Sequence, residues 1–167
     1  MFRVGDTVRY GQSGVCRIEE IRDMTFGGMT QSYYVLMPLF KTGSVVYVPC
    51  ENEILSAKML PPLTKKEVRE ALRLVREKEV EWIRDFRRRS EFAKKALSSG
   101  DRTEALYLIK SIYHHKREVL GQSARIHTTD DYFLKDAETL IFTEFSFVLN
   151  RSYDDVAAEV RGLLTEK

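Results

Sequence analysis

The sequence predicts an α+β protein: a small β-rich unit over residues 1–60, followed by an all-helical unit over residues 61–167. Three observations carry this. Short runs of β-branched and aromatic residues fill the first part, separated by glycine turns. Pro61 and Pro62 mark a change of composition, and such a pair continues neither a helix nor a central strand. The remainder is built of strong helix formers, with no proline and glycine only at Gly100, Gly121 and Gly162.

The β-rich part divides into elements in order. Val8 to Tyr10 reads as a short strand, and Gly11 to Gly14 as a turn. Val15 to Thr25 reads as a long strand. Its apolar Val15, Ile18 and Ile21 do not alternate strictly, which points to a bulge. Gly27 and Gly28 reverse the chain, and Ser32 to Met37 and Ser44 to Val48 supply two more strands around a turn at Lys41 to Gly43. Four or five strands in so short a span suggest a small barrel of the SH3 or Tudor kind, too small to close all its edges.

In the helical part, Thr64 and Glu67 form a capping box, followed by Val68, Leu72 and Val75 at helical spacing. The pattern continues through Ile83, Phe86, Phe92 and Ala96 to Ser98–Gly100, as one helix or two. Asp101 and Glu104 open another helix, which ends at Gly121. Thr128 or Thr129 starts a further one, and its apolar stretch Leu140 to Leu149 reads as a core helix. Ser152 caps the last. Four or five such helices make a compact bundle.

Composition narrows the function. Hydrophobic residues make up 43% and charged residues 31% of the chain, the balance of a folded protein in water, and no apolar run is long enough to span a membrane. The N-terminus lacks the pattern of a signal peptide, and two cysteines outside any metal-binding spacing, Cys16 and Cys50, are expected as buried thiols, so a cytoplasmic location is expected. No phosphate-binding loop, zinc signature or nucleophile motif is present. His114 and His115 are consecutive on a helix and point about 100° apart, which prevents a shared metal. Neither an enzyme nor a cofactor nor a small-molecule substrate is expected. An unfamiliar active site would need His115 or His127 in a pocket beside a carboxylate.

Net charge is only +2, but its distribution is uneven. Residues 1–62 carry six Lys/Arg and six Asp/Glu, whereas the window 84–95 carries six Lys/Arg against Asp85 and Glu91. Arg84, Arg87 and Arg88 lie at i, i+3, i+4 and crowd one helical stripe, Arg89 extends that surface, and Trp82 and Phe86, also i, i+4, share a face. Core packing is the usual role of such rings, and a solvated face the usual role of such arginines. An aromatic beside clustered arginines is also how minor-groove proteins are built, with Arg on phosphates and an apolar wedge between bases. In the β-rich part, an edge near Ser32–Met37 could accept a partner strand.

Several segments are specific: Phe2 to Tyr10 (FRVGDTVRY), Gly14-Val15, Ile18 to Ile21 (IEEI), Tyr33 to Leu36 (YYVL), Gly43 to Pro49 (GSVVYVP) and Glu51-Asn52. Together they resemble the CarD family of bacterial transcription regulators, and Leu97 to Asp101 (LSSGD) is similar to a helix-breaking segment of that family. The resemblance implies a Tudor-like N-terminal domain that binds the RNA polymerase β subunit. It also implies a helical domain that contacts promoter DNA at the upstream edge of the melted region, where a tryptophan wedges into the minor groove and prolongs the open complex. Counted without gaps from Asp101, the family tryptophan falls on Phe86 and the basic residues after it on Arg87, Arg88 and Arg89; Trp82 lies one turn earlier. The resemblance thus implies DNA contacts among Trp82, Arg84, Phe86, Arg87, Arg88 and Arg89. It implies polymerase contacts among Met24, Tyr34, Tyr47 and Val48, in a protein monomeric in solution. The rival expectation is an adaptor or competitor that docks on polymerase and never touches DNA.

Overall fold

The computed structural model describes residues 1–121 and 125–166. It divides into two compact units, Met1–Pro62 and Leu63–Lys167.

The first unit is a five-stranded antiparallel sheet in the order β4-β3-β2-β1-β5. Its strands are β1 Thr7–Tyr10, β2 Val15–Phe26, β3 Met29–Pro38, β4 Val46–Pro49 and β5 Met59–Leu60, with a short helix, α1 Glu53–Ser56, between the last two. The expected bulge lies between Ile18 and Glu20, where the β2–β3 register shifts by one residue. Without that shift, the face carrying Ile18 would alternate out of phase with the rest of the strand. Phe26 and Met29 pair across a two-residue turn made of Gly27 and Gly28, at φ 58° and 82°. A tight turn with positive φ at both positions joins strands with the native twist, and glycine adopts it without strain.

Alternation along β3 and β4 fixes two faces. Tyr34, Leu36 and Val48 pack inward on Val8, Cys16, Ile18 and Met59. Tyr33, Val35 and Tyr47 lie on the opposite face, with Glu20 and Arg22 as their register partners on β2. There Arg22 pairs with Glu20 at 3.1 Å, and its guanidinium lies 5.9 Å from the Tyr47 ring. Of the two thiols expected in the core, Cys16 is buried but Cys50 is half-buried at the end of β4. Burial pushes the Cys50 thiol up, keeping it protonated.

The second unit contains α2 Lys65–Glu77, α3 Phe86–Ser98, α4 Arg102–Gly121, α5 Thr128–Leu149 and α6 Tyr153–Thr165. The Thr64–Glu67 capping box forms in both directions. Ser152 caps α6 through the Asp155 amide. The cap of α5 is His127, whose Nδ1 accepts from the Thr129 amide at 3.1 Å. α4 and α5 carry the apolar centre, with Leu106, Ile109, Ile112, Ile141, Phe142 and Phe145 essentially excluded from solvent. An ion pair sits inside it: Arg102 Nε donates to Glu144 Oε2 at 2.8 Å.

The run expected as one helix or two is two. α2 stops at Glu77 although no glycine or proline follows before Phe86. The stop comes from packing. Lys110 Nζ, buried on α4, donates to the carbonyls of Val75, Arg76 and Lys78 at 2.6–2.9 Å, satisfying oxygens that a continuing helix would have claimed. The Glu81 amide then donates to Tyr107 Oη at 3.0 Å, and Asp85 caps α3 by accepting from the Arg88 amide at 2.8 Å.

Candidate nucleic-acid and polymerase interfaces

In the helical unit, Trp82 lies on the extended strap between α2 and α3, while Phe86 is the first residue of α3. They therefore do not share a helical face, and Arg84 is not part of a stripe with Arg87 and Arg88. This corrects the expected arginine stripe and the expected shared face of the two rings, and the physical reason is the break at Glu77.

The two rings have different surroundings. Trp82 is half-buried against the bundle core. It stacks on His115 of α4, with centroids 3.7 Å apart and planes at 6°. Phe86 is 43% exposed and meets only the imidazole of His127 among aromatic neighbours in the described residues, at 4.5 Å and 40°.

Arg89 is the second correction. It was expected as a DNA contact but is only 9% exposed. Its Nε and Nη2 donate to Asp130 Oδ1 and Oδ2, each at 2.8 Å, and Nη1 donates to the carbonyls of Ile83 and Arg84 at 3.0 and 3.1 Å. The guanidinium also lies 4.8 Å from the Trp82 ring and 5.4 Å from the Phe86 ring. Four of the five N–H donors of that group are spent inside the protein, and the side chain is buried, which withdraws it from the exposed basic surface. Arg89 instead fastens α3, the strap and α5 together around the two rings.

Arg84, Arg87 and Arg88 are exposed beside Phe86. Arg87 makes one loose pair with Glu91 at 3.4 Å, at high exposure, which contributes little. A half-exposed ring at the start of α3 thus lies within two residues of three exposed arginines, an apolar group in a basic segment.

Two of the histidines are engaged by the fold. His115 has its ring covered by Trp82, and burial, ahead of its charged neighbours, lowers its pKa. His127 spends Nδ1 on the α5 cap. No group of three or more potential metal ligands exists among the described residues, and no described helix is long and apolar enough to cross a membrane.

In the sheet unit, the four residues expected at a polymerase contact divide between the faces. Tyr47, 42% exposed, and the half-buried Met24 lie on the outer face. Tyr34, 6% exposed, and Val48, fully buried, are opposite one another in the inner core. Their side chains are excluded from any docking surface because alternation turns them inward. Sequence reasoning passed over Phe26 and Met29, both exposed at the tip of the β2–β3 hairpin; Phe26 packs edge-on to Tyr33 at 5.7 Å. Two apolar residues flanking Gly27-Gly28 were the available signal. β4 ends the sheet on one side and β5 on the other. β4 is the longer edge, so more unpaired backbone groups are available there.

Residues 2–57 match the family model of the CarD-like/TRCF RID domain. No curated protein matches the chain. The matched domain is a protein-interaction domain that serves RNA polymerase binding in its family. The five-stranded sheet and the family match coincide on the same residues, and the N-terminal unit is accordingly similar to the CarD-like/TRCF RID domain, in line with the resemblance to the CarD family.

Proposed function

We propose that this protein is a non-catalytic transcription regulator that docks on the RNA polymerase β subunit through its N-terminal sheet and stabilises open promoter complexes through its helical unit. The observation that carries the DNA-contacting half is Phe86, an exposed ring at the first turn of α3 with Arg84, Arg87 and Arg88 exposed within two residues of it in the chain. An apolar wedge flanked by cations suits a minor groove, where the ring inserts beside a base step and the guanidinium groups engage phosphates. Trp82, stacked on His115, supports the strap in this reading and is not the wedge. Polymerase docking is carried by the outer face around Tyr47 and Met24 and by the free edge of β4, where an added strand would gain main-chain hydrogen bonds.

The mechanism needs no energy source. Two weak contacts on one chain act as one useful affinity. A ligand that binds the melted state better than the closed state shifts the equilibrium by its differential affinity, about tenfold per 1.4 kcal/mol. Footprinting of polymerase–promoter complexes with and without the protein tests this. The reading predicts extra protection at the upstream edge of the bubble. Polymerase binding with an unchanged footprint would instead identify an adaptor that never touches DNA, a possibility favoured by Arg89 being withdrawn from the basic surface.

A further inference from the structure

We propose that His127 is a second DNA-contacting residue, a ring paired with Phe86 that donates a hydrogen bond from Nε2 into the minor groove. The inference rests on the reading of Phe86 as the wedge and adds a residue that neither the family match nor the sequence assigned to DNA.

Three observations support it. His127 is exposed and its imidazole lies 4.5 Å from the Phe86 ring, so the two rings form one continuous surface drawn from α3 and α5. Its tautomer is fixed by the fold. Nδ1 accepts from the Thr129 amide, and a neutral imidazole that accepts at Nδ1 carries its proton on Nε2. That N–H has no hydrogen-bond partner among the described residues, so it is a free donor beside an exposed wedge. The minor-groove floor displays acceptors at every A·T pair, adenine N3 and thymine O2, and a single fixed donor beside an inserted ring matches them. Arg84, Arg87 and Arg88 are too long and mobile to define one such position, and they suit the phosphates.

The position of His127 is set by two independent restraints. The cap bond ties it to the first turn of α5, and the Arg89–Asp130 pair ties that same turn to α3. The donor is therefore held before DNA arrives, which reduces the ordering cost of binding.

The experiment compares His127→Asn, Phe86→Ala and the double variant in the full chain, reading open-complex lifetime on one promoter. Asparagine is itself a strong helix cap, so α5 keeps its first turn while the ring and its Nε2 donor are lost. The expected result is a lifetime shortened about three- to tenfold by His127→Asn, the loss of one good contact, with the double variant less than additive because the rings act together. A shortened lifetime for Phe86→Ala with a wild-type lifetime for His127→Asn overturns the role of His127 and leaves that of Phe86 standing. A wild-type lifetime for Phe86→Ala removes the wedge, and the inference with it. A second measurement uses the unmutated chain: imidazole NMR signals during titration with an A·T-rich duplex. The His127 signal should move while those of His114 and His115 stay in place, and a stationary His127 signal overturns the proposal.

Discussion

Arg89 Nη2 lies 2.8 Å from Asp130 Oδ2 while Nε lies 2.8 Å from Oδ1, so one buried guanidinium joins α3 to α5 in a two-point bond. Its immediate neighbour Arg88 is exposed. Two adjacent arginines, alike in the sequence, therefore do opposite work. Arg89→Ala strands the Asp130 carboxylate and should destabilise the helical unit by about 3–5 kcal/mol. Arg88→Ala should leave thermal stability within about 0.5 kcal/mol and flatten the salt dependence of DNA binding. Denaturant unfolding and binding at several salt concentrations separate the two. Equal stability losses would show that Arg89 is not the fastener described.

The end of α2 depends on Lys110. Lys110→Met should leave the carbonyls of Val75, Arg76 and Lys78 without their donor and cost about 1–3 kcal/mol. Hydrogen exchange should rise along the strap 78–85 more than in α5. Uniform change across the bundle would contradict a local role.

Burial holds His114 and His115 below the usual histidine value of 6.5 in the folded protein. For His114, Lys110 and Arg117 push the same way and Glu118 opposes; for His115, Glu118 and Asp130 oppose and Arg89 pushes down. The unfolded chain then takes up protons first as pH falls. Stability contributed by the neutral rings is full above 6.5 and is lost as pH drops through that value towards the folded pKa. The melting temperature should fall between about pH 7.5 and about pH 5.5. His115→Phe keeps a ring on Trp82 and should recover part of the drop; an identical drop would exclude His115 as a contributor.

Tyr47 and Tyr34 belong to opposite faces of one sheet. Tyr47→Glu should weaken capture by a polymerase β-subunit fragment and leave the melting temperature nearly unchanged. Tyr34→Ala should cost about 3 kcal/mol as a core truncation. A Tyr47→Glu protein that binds the fragment at full strength would move the docking surface elsewhere.

Much of the fold is legible in the residues. Thr64 and Glu67 announce the start of α2, the broken alternation at Ile18 and Ile21 announces the bulge, and Gly27-Gly28 announces the hairpin. Each is a local signal with a local cause. The break between α2 and α3 is different: Lys78 to Glu81 would continue a helix by propensity, and the bonds that stop it come from Lys110 and Tyr107 on another element. Asp85, a good cap four residues ahead of Arg89, was the one local hint. The basic window was visible as composition, but which arginine turns inward depended on Asp130, 41 residues away. Likewise Tyr34 and Tyr47 are both tyrosines in strands, and only the pairing register decides which one meets solvent.

The central claim is that an exposed ring at Phe86 props a melted promoter. The lifetime of preformed open complexes, challenged with a competitor and measured with wild-type protein and with Phe86→Ala, tests it most directly. The account predicts that Phe86→Ala shortens the lifetime towards that of polymerase alone while capture by the β-subunit fragment is retained. An unchanged lifetime with unchanged capture would contradict it.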